Sequence, residues 1–291
     1  MRYGTGMVIV LTAGLMWSVQ PLIIRQIEVA GTWTVLMWRS AAMIPVLLAY
    51  LAWSERRAPW HALRTAGLAG VLGGVGLVVA MGGSILAFQT TTVANAAFLL
   101  AASPFLAAIL GKLVLAEAVA PRTWGAIALA LIGIFVMVSE GLSGGALTGN
   151  IAALSASLGF AAFSVSLRWQ RAQSSLPAVI LGAIFAVAAG AHGAAAQGAP
   201  LMIPATDLMW CLLMGAVTMA GGMTLYALGS RVVPSAELTL LSNTEVLLAP
   251  FWVWLVLGET ASTATFAGGA IVLIAILFNA YSGVRRMSAV A

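Results

Sequence analysis

From Thr65 to Gly111 the chain carries no Asp, Glu, Lys or Arg. A helix of roughly 20 apolar residues crosses the ~30 Å hydrocarbon core of a bilayer, so this run is too long for one crossing and has to hold two. The polar, β-branched "FQTTT" at 88–92 is the segment that can separate them. Within a bilayer the backbone finds no water, and an α-helix satisfies its N–H and C=O groups inside the segment. Comparable charge-poor stretches fall at about 4–24, 33–53, 66–87, 92–112, 122–139, 150–169, 176–196, 207–228, 235–256 and 262–282. The expected fold is an all-α integral membrane protein with ten transmembrane helices. Composition agrees: 7% of residues are charged and mean hydropathy is +1.06. A soluble domain holds about 25% charged residues, so this chain cannot cover its own surface with polar groups. The run after Arg2 stays apolar to about Ile24, too long for the core of a cleaved signal and without a small-x-small site, and reads as a retained first span.

The formal charge of +5 would suggest nucleic acid in a soluble protein. In a membrane protein its sidedness matters instead. With the spans numbered as above, Arg2, Arg56, Arg57, Arg64, Lys112, Arg122, Arg168, Arg171, Arg231, Arg285 and Arg286 fall on one side. Arg25 alone falls on the other, with Arg39 just inside span two. Dropping one span would scramble every later loop. Both termini are therefore expected in the cytoplasm, and no nucleic-acid partner is expected. The single cysteine, Cys211, cannot form an internal disulfide, and His61 and His192 are too far apart in sequence for a zinc pair by spacing. Neither a metal nor another cofactor is expected.

The chain also repeats itself. "LVLAE" (113–117) returns 142 residues on as "LVLGE" (255–259), and the same offset aligns Leu86 with Leu228, Ala94 with Ala236, Leu99 with Leu241 and Thr123 with Thr265. Each copy holds five spans, an odd number, so the second enters the membrane upside down. Two inverted five-helix repeats follow, at 1–142 and 143–291, joined near the Gly- and Ser-rich "GLSGGALTGN" (141–150). Inverted repeats are a mark of secondary transporters, whose substrate site lies near the midplane between the copies.

The five-plus-five arrangement, "LMW" (15–17) in span one, Arg39 early in span two, "AASPFLAAILGKLVLAE" (101–117) in span four and the repeated "LVLAE" and "LVLGE" resemble the drug/metabolite transporter superfamily. Within it the chain is similar to the EamA-type bacterial exporters, including those of amino acids and aromatic amino acids. The resemblance implies a multi-pass protein of the bacterial inner membrane that exports small metabolites. It also implies a central cavity walled by spans one, three, four, six, eight and nine. Relatives often read Glu-Pro in span nine; here Glu245 is followed by Val246, and the proline comes at Pro250.

Several residues could line such a cavity. Glu245 falls near the middle of span nine, where an acid costs about 2.5–3.5 kcal/mol and so belongs against the bundle interior or a wet cavity. It is either an ionisable group that meets a substrate ammonium or takes up a proton, or a hydrogen-bonded packing residue. Ser242 is its nearest local partner on the same face, which also carries Trp252. In "WSVQP" (17–21), Pro21 leaves the carbonyl of Trp17 without its backbone donor. Trp17, Ser18 and Gln20 then form either a binding element for an amphipathic solute or a kinked packing helix. The counterpart in span six offers Phe163 and Ser164; Phe98 and Tyr226 extend the aromatic inventory, and Ser103 is the polar residue at the span-four kink. Pro104 and Pro250 are expected to kink spans four and nine in the same way as Pro21, and all three are gating candidates. Arg39 reads as a salt bridge or as a side chain snorkelling to the interface, or as a substrate contact.

The glycines of "GLAGVLGGVGLVVAMGG" (67–83) serve close helix packing, or leave room for a cavity, as does "AGGM" (220–223). "GLSG" (141–144) matches a Gly-x-Ser-Gly protease pattern, but it falls in an expected loop with no mid-membrane histidine to activate the serine. No Walker loop or His-Glu-x-x-His is present, and the chain is not expected to be an enzyme. Scarce fixed charge and aromatic residues point to neutral, hydrophobic or aromatic amino acids carried by alternating access, for which a single copy suffices. The alternatives are an efflux carrier for drugs or other metabolites of the same superfamily, a non-transporting membrane scaffold, or an intramembrane enzyme.

Overall fold

The computed structural model describes residues 3–55, 63–64, 66–144, 146–169, 175–229, 232–233, 241 and 244–288, and they are helical apart from short turns. In chain order the helices are α1 (Tyr3–Ile24), α2 (Thr32–Glu55), α3 (Gly67–Thr90), α4 (Val93–Leu115), α5 (Pro121–Gly144), α6 (Leu147–Trp169), α7 (Leu176–Ala196), α8 (Ala205–Gly229), α9 (Thr244–Leu257) and α10 (Thr263–Ser288). The first eight are long and apolar enough to cross a membrane; α9 and the apolar part of α10, Thr263–Phe278, are shorter. Residues 234–240, where span nine was expected to begin, lie outside the described residues.

The separation expected at "FQTTT" is present. Helix α3 ends at Thr90, and Thr92, with extended backbone, caps α4 by accepting the Asn95 N–H at 3.3 Å. A threonine oxygen there satisfies one of the N–H groups that a helix start leaves free.

Proline acts differently in three places. Helix α1 breaks at Val19 and resumes as Gln20–Ile24 with Pro21 in its first turn. Helix α4 breaks at Ala101–Ala102 and resumes as Ser103–Leu115 with Pro104 in its first turn. At Pro250 there is no comparable interruption: α9 runs through it from Thr244 to Leu257. A proline removes one backbone donor, and a helix held by its neighbours can carry that single loss. Helix α8 departs from regularity without proline, widening into a π-helix over Met214–Gly221.

Glycines set the closest approaches. Gly76 of α3 and Gly159 of α6 face each other so tightly that a Cβ on either would meet the other's carbonyl at 2.7 and 2.5 Å. Gly74 meets Gly182 and Phe185 of α7, and Gly133 of α5 meets Gly268 of α10. These are the packing contacts expected for small residues in lipid, where van der Waals contact drives helix association. The space that the span-three glycines might have left open is filled by α6 and α7.

Exchanging the halves maps the main packing pairs onto one another. The pair α3–α6 becomes α8–α1, α3–α7 becomes α8–α2, and α4–α6 becomes α9–α1. The pairs α2–α7 and α5–α10 map onto themselves, and in both the helices run antiparallel. Trp33 and Met37 at the start of α2 lie on Gly193 and Gly190 at the end of α7, while Gly133 meets Val272 and Met137 meets Gly268.

Candidate functional site

Helices α1, α8 and α9 meet around the break in α1. The Trp17 and Tyr226 rings stand 5.6 Å apart with planes inclined at 39°, within the range where aromatic pairs attract. Gly222 of α8 makes this possible, because a Cβ there would fall inside the Trp17 indole. "AGGM" therefore leaves no empty space; it seats the tryptophan. Ser18 is fully buried, donates to the Leu15 carbonyl at 2.7 Å and accepts the Trp252 indole N–H at 2.9 Å. The Trp17 Nε1 is buried and has no hydrogen-bond partner among the described residues. A donor left in that state costs about 1–3 kcal/mol, and this one lies against Gly222 of α8.

Glu245 is half-buried in the first turn of the described α9. Trp252, seven residues on, shares its face, and since Trp252 bonds Ser18 that face is turned toward α1. Ser242, its expected partner, lies outside the described residues. Gln20 is half-buried just beyond the α1 break, and Pro21 is buried.

The remaining candidates sit on other helix pairs. Phe98 is 6% exposed and packs on α10, where Gly269 makes room for its ring. Phe163 is 5% exposed and lies against Gly73 and Gly76 of α3, with Phe160 5.8 Å away. Ser164 turns its hydroxyl onto the Phe160 carbonyl at 3.0 Å. Ser103 is half-buried at the start of the second part of α4, and Pro104 beside it is exposed. The structure thus gathers Trp17, Ser18 and Tyr226 with Trp252 and the Glu245 face of α9, and gives Phe98 and Phe163 ordinary packing surroundings.

Arg39 is buried in α2. It is 2% exposed, so it does not snorkel, and its Nε and Nη2 have no hydrogen-bond partner among the described residues. Asp207, one helical turn before buried Cys211 on α8, is not its counter-ion. That carboxylate accepts the N–H groups of Glu28, Val29 and Ala30 at 3.3, 2.9 and 2.9 Å, fixing the turn from α1 into α2.

A polar seam between α4 and α6 was not expected. Asn95 donates to Asn150, both buried, and also to Thr91 Oγ1 at 3.1 Å. Ser157, fully buried, reaches the Leu99 carbonyl at 2.8 Å and the Leu100 carbonyl at 3.2 Å. Leu100 is the residue whose carbonyl Pro104 leaves without a backbone donor. The signal was present in the sequence: Asn150, Ser157 and Ser164 follow one another at seven-residue spacing, one stripe of α6.

The family model for EamA-like transporters matches twice, over residues 4–139 and again over 147–281. The chain belongs to the EamA-like transporter family. That membership makes it a multi-pass membrane protein of the drug/metabolite transporter superfamily, working on a small molecule in a lipid bilayer. A solved structure described as "Crystal structure of protein" superposes with a TM-score of 0.62 at 16% identity, covering 95% of this chain and 97% of that one. At that identity the likeness concerns the fold alone. No curated protein matches the sequence.

Proposed function

We propose that this EamA-like protein is a secondary exporter of neutral, hydrophobic or aromatic amino acids, with ten spans, cytoplasmic termini and a place in the bacterial inner membrane. The two halves, 1–142 and 143–291, would be inverted copies that rock about a midplane site. The self-mapping, antiparallel pairs α2–α7 and α5–α10 support that arrangement, since an axis perpendicular to the helices turns one copy over. The observation that carries the substrate class is the Trp17–Tyr226 pair at the broken α1, with a buried indole N–H facing no acceptor. An aromatic or aliphatic side chain would lie against the rings, and a carboxylate would accept that N–H. Glu245 would meet the ammonium group or carry a proton, and Ser18, Gln20, Ser103, Phe98, Phe163, Ser164 and Ser242 are the further positions to vary. A sugar phosphate or nucleotide would need basic groups in the cavity, and the basic residues stand almost entirely near span ends.

Proteoliposomes loaded with a panel of labelled amino acids, with and without a pH gradient, test this reading. Movement of aromatic or branched amino acids is the expected result. Movement of none, or of hydrophobic drugs in their place, would overturn it. In the same assay Glu245→Gln is expected to abolish stimulation by the gradient, and an unchanged pH dependence in a folded protein removes the proton-carrying role.

A further inference from the structure

Among the described residues two ion pairs join the halves, one at each end of the bundle. At one end Arg25, just past α1, meets Glu259, just past α9: Nε and Nη2 both approach Oε2 at 2.9 Å. The other Glu259 oxygen accepts the N–H of Val93, the first residue of α4, at 2.7 Å, and Arg25 also donates to the Thr91 carbonyl at 2.8 Å. One carboxylate from the second half thus ties together the end of α1 and the turn from α3 into α4. At the other end Arg168, in the last turn of α6, meets Glu117, just past α4, at 2.7 Å and donates to the Ala107 carbonyl at 3.0 Å.

The two glutamates are the repeated residues of "LVLAE" and "LVLGE", and the fold uses them alike. Each follows a residue in the left-handed conformation that ends its helix, Ala116 at φ 53° and Gly258 at φ 67°. That reversal turns each glutamate toward an arginine of the opposite half. Helix α4 is consequently held twice by the second half: at Val93 by Glu259, and at Ala107 and Glu117 by Arg168. The second hold lies at the level of Ala107 and Gly111, roughly 20–27 Å along the helix from Val93 at 1.5 Å per residue, so the two holds stand well apart. Beside the first hold lies a cavity of about 230 Å³ lined by Val93, Ala94, Pro250, Val253 and Glu259, where α4 and α9 close on each other. Both pairs are part-exposed, with side chains 23% and 22% accessible at the first and 44% and 37% at the second. Ion pairs so placed hold weakly, as a contact made and broken in every cycle must.

We propose that Arg25–Glu259 and Arg168–Glu117 are the two gate latches of this transporter, broken in alternation as the halves rock. This rests on the transporter reading above but not on the identity of the substrate. It is tested without substrate, by labelling purified protein in nanodiscs with a water-soluble maleimide in a Cys211→Ala background. One reporter is Ala94→Cys beside the first latch, the other Ala108→Cys beside the second. Glu259→Gln is expected to raise labelling at 94 at least three-fold and lower it at 108. Glu117→Gln is expected to do the reverse, and Arg25→Gln, acting from the opposite half, to repeat the signs of Glu259→Gln. Unchanged rates in monodisperse protein overturn the proposal, as does a rise at both reporters together, which is plain loosening. Opposite signs in a protein that moves no amino acid would uphold the latches and count only against the substrate class.

Discussion

Replacing Ser157 by alanine tests how the broken α4 is held. The hydroxyl is fully buried and lies 2.8 Å from the Leu99 carbonyl and 3.2 Å from the Leu100 carbonyl; it carries one hydrogen and serves one acceptor at a time. Side-chain hydrogen bonds between membrane helices average about 0.6 kcal/mol, because the unpacked helix finds other partners. Here the Leu100 carbonyl has lost its own backbone partner, since residue 104 is proline and has no N–H. A stranded carbonyl costs about 1–3 kcal/mol, so Ser157→Ala is expected to cost about 1.5 kcal/mol, roughly a tenfold change in the unfolding equilibrium. Pro104→Ala would return an N–H within reach of Leu100, and in that background the cost of Ser157→Ala is expected to fall to the ordinary ~0.6 kcal/mol. Unfolding by SDS in mixed micelles, followed for the four members of the cycle, reads the coupling directly. Equal costs in the two backgrounds, within the ~0.3–0.5 kcal/mol expected of independent sites, would refute the link between the proline and the serine.

Ala116→Gly is expected to stabilise the protein by about 0.5–1 kcal/mol, because φ 53° strains an L-residue and suits glycine; Gly258→Ala at φ 67° should lose about 1 kcal/mol in the same unfolding assay. Gly222→Ala would push the Trp17 indole off α8 and away from Tyr226, so transport should fall several-fold while the protein stays monodisperse. Asp207→Ala would free three backbone N–H groups in the turn before α2, and a loss of about 2–4 kcal/mol by SDS unfolding is expected, with faster hydrogen exchange at residues 28–30.

Much of the architecture was legible in the chain because lipid makes strict demands on it. Charge-poor runs of spanning length marked the helices, "FQTTT" marked the separation of α3 from α4, and Pro21 and Pro104 marked the two broken helices. Pro250 did not break α9, since losing one backbone donor obliges a helix to end only where the surroundings fail to hold it. Trp17, Ser18 and Tyr226 were legible as polar or aromatic residues in spans expected to wall a cavity. Their grouping with Trp252 was not, because nothing in either segment says which turn of α9 lies beside Ser18.

The sequence by itself determined the all-helical class, the approximate extent of most helices (α5 runs on to Gly144, through the "GLSG" expected in a loop), and the repeat that puts Glu117 and Glu259 in equivalent positions. These depend on properties of single segments: their length, their apolar content, and where a donor is missing. The tertiary structure alone decided what those segments do to each other. Arg25 and Glu259 are 234 residues apart in sequence, and Ser157 meets the carbonyls of a helix more than fifty residues earlier. Such partners are chosen by the register of one helix against another. Register is set where Gly76 meets Gly159 and Gly133 meets Gly268, by the fit of two surfaces that no single segment contains.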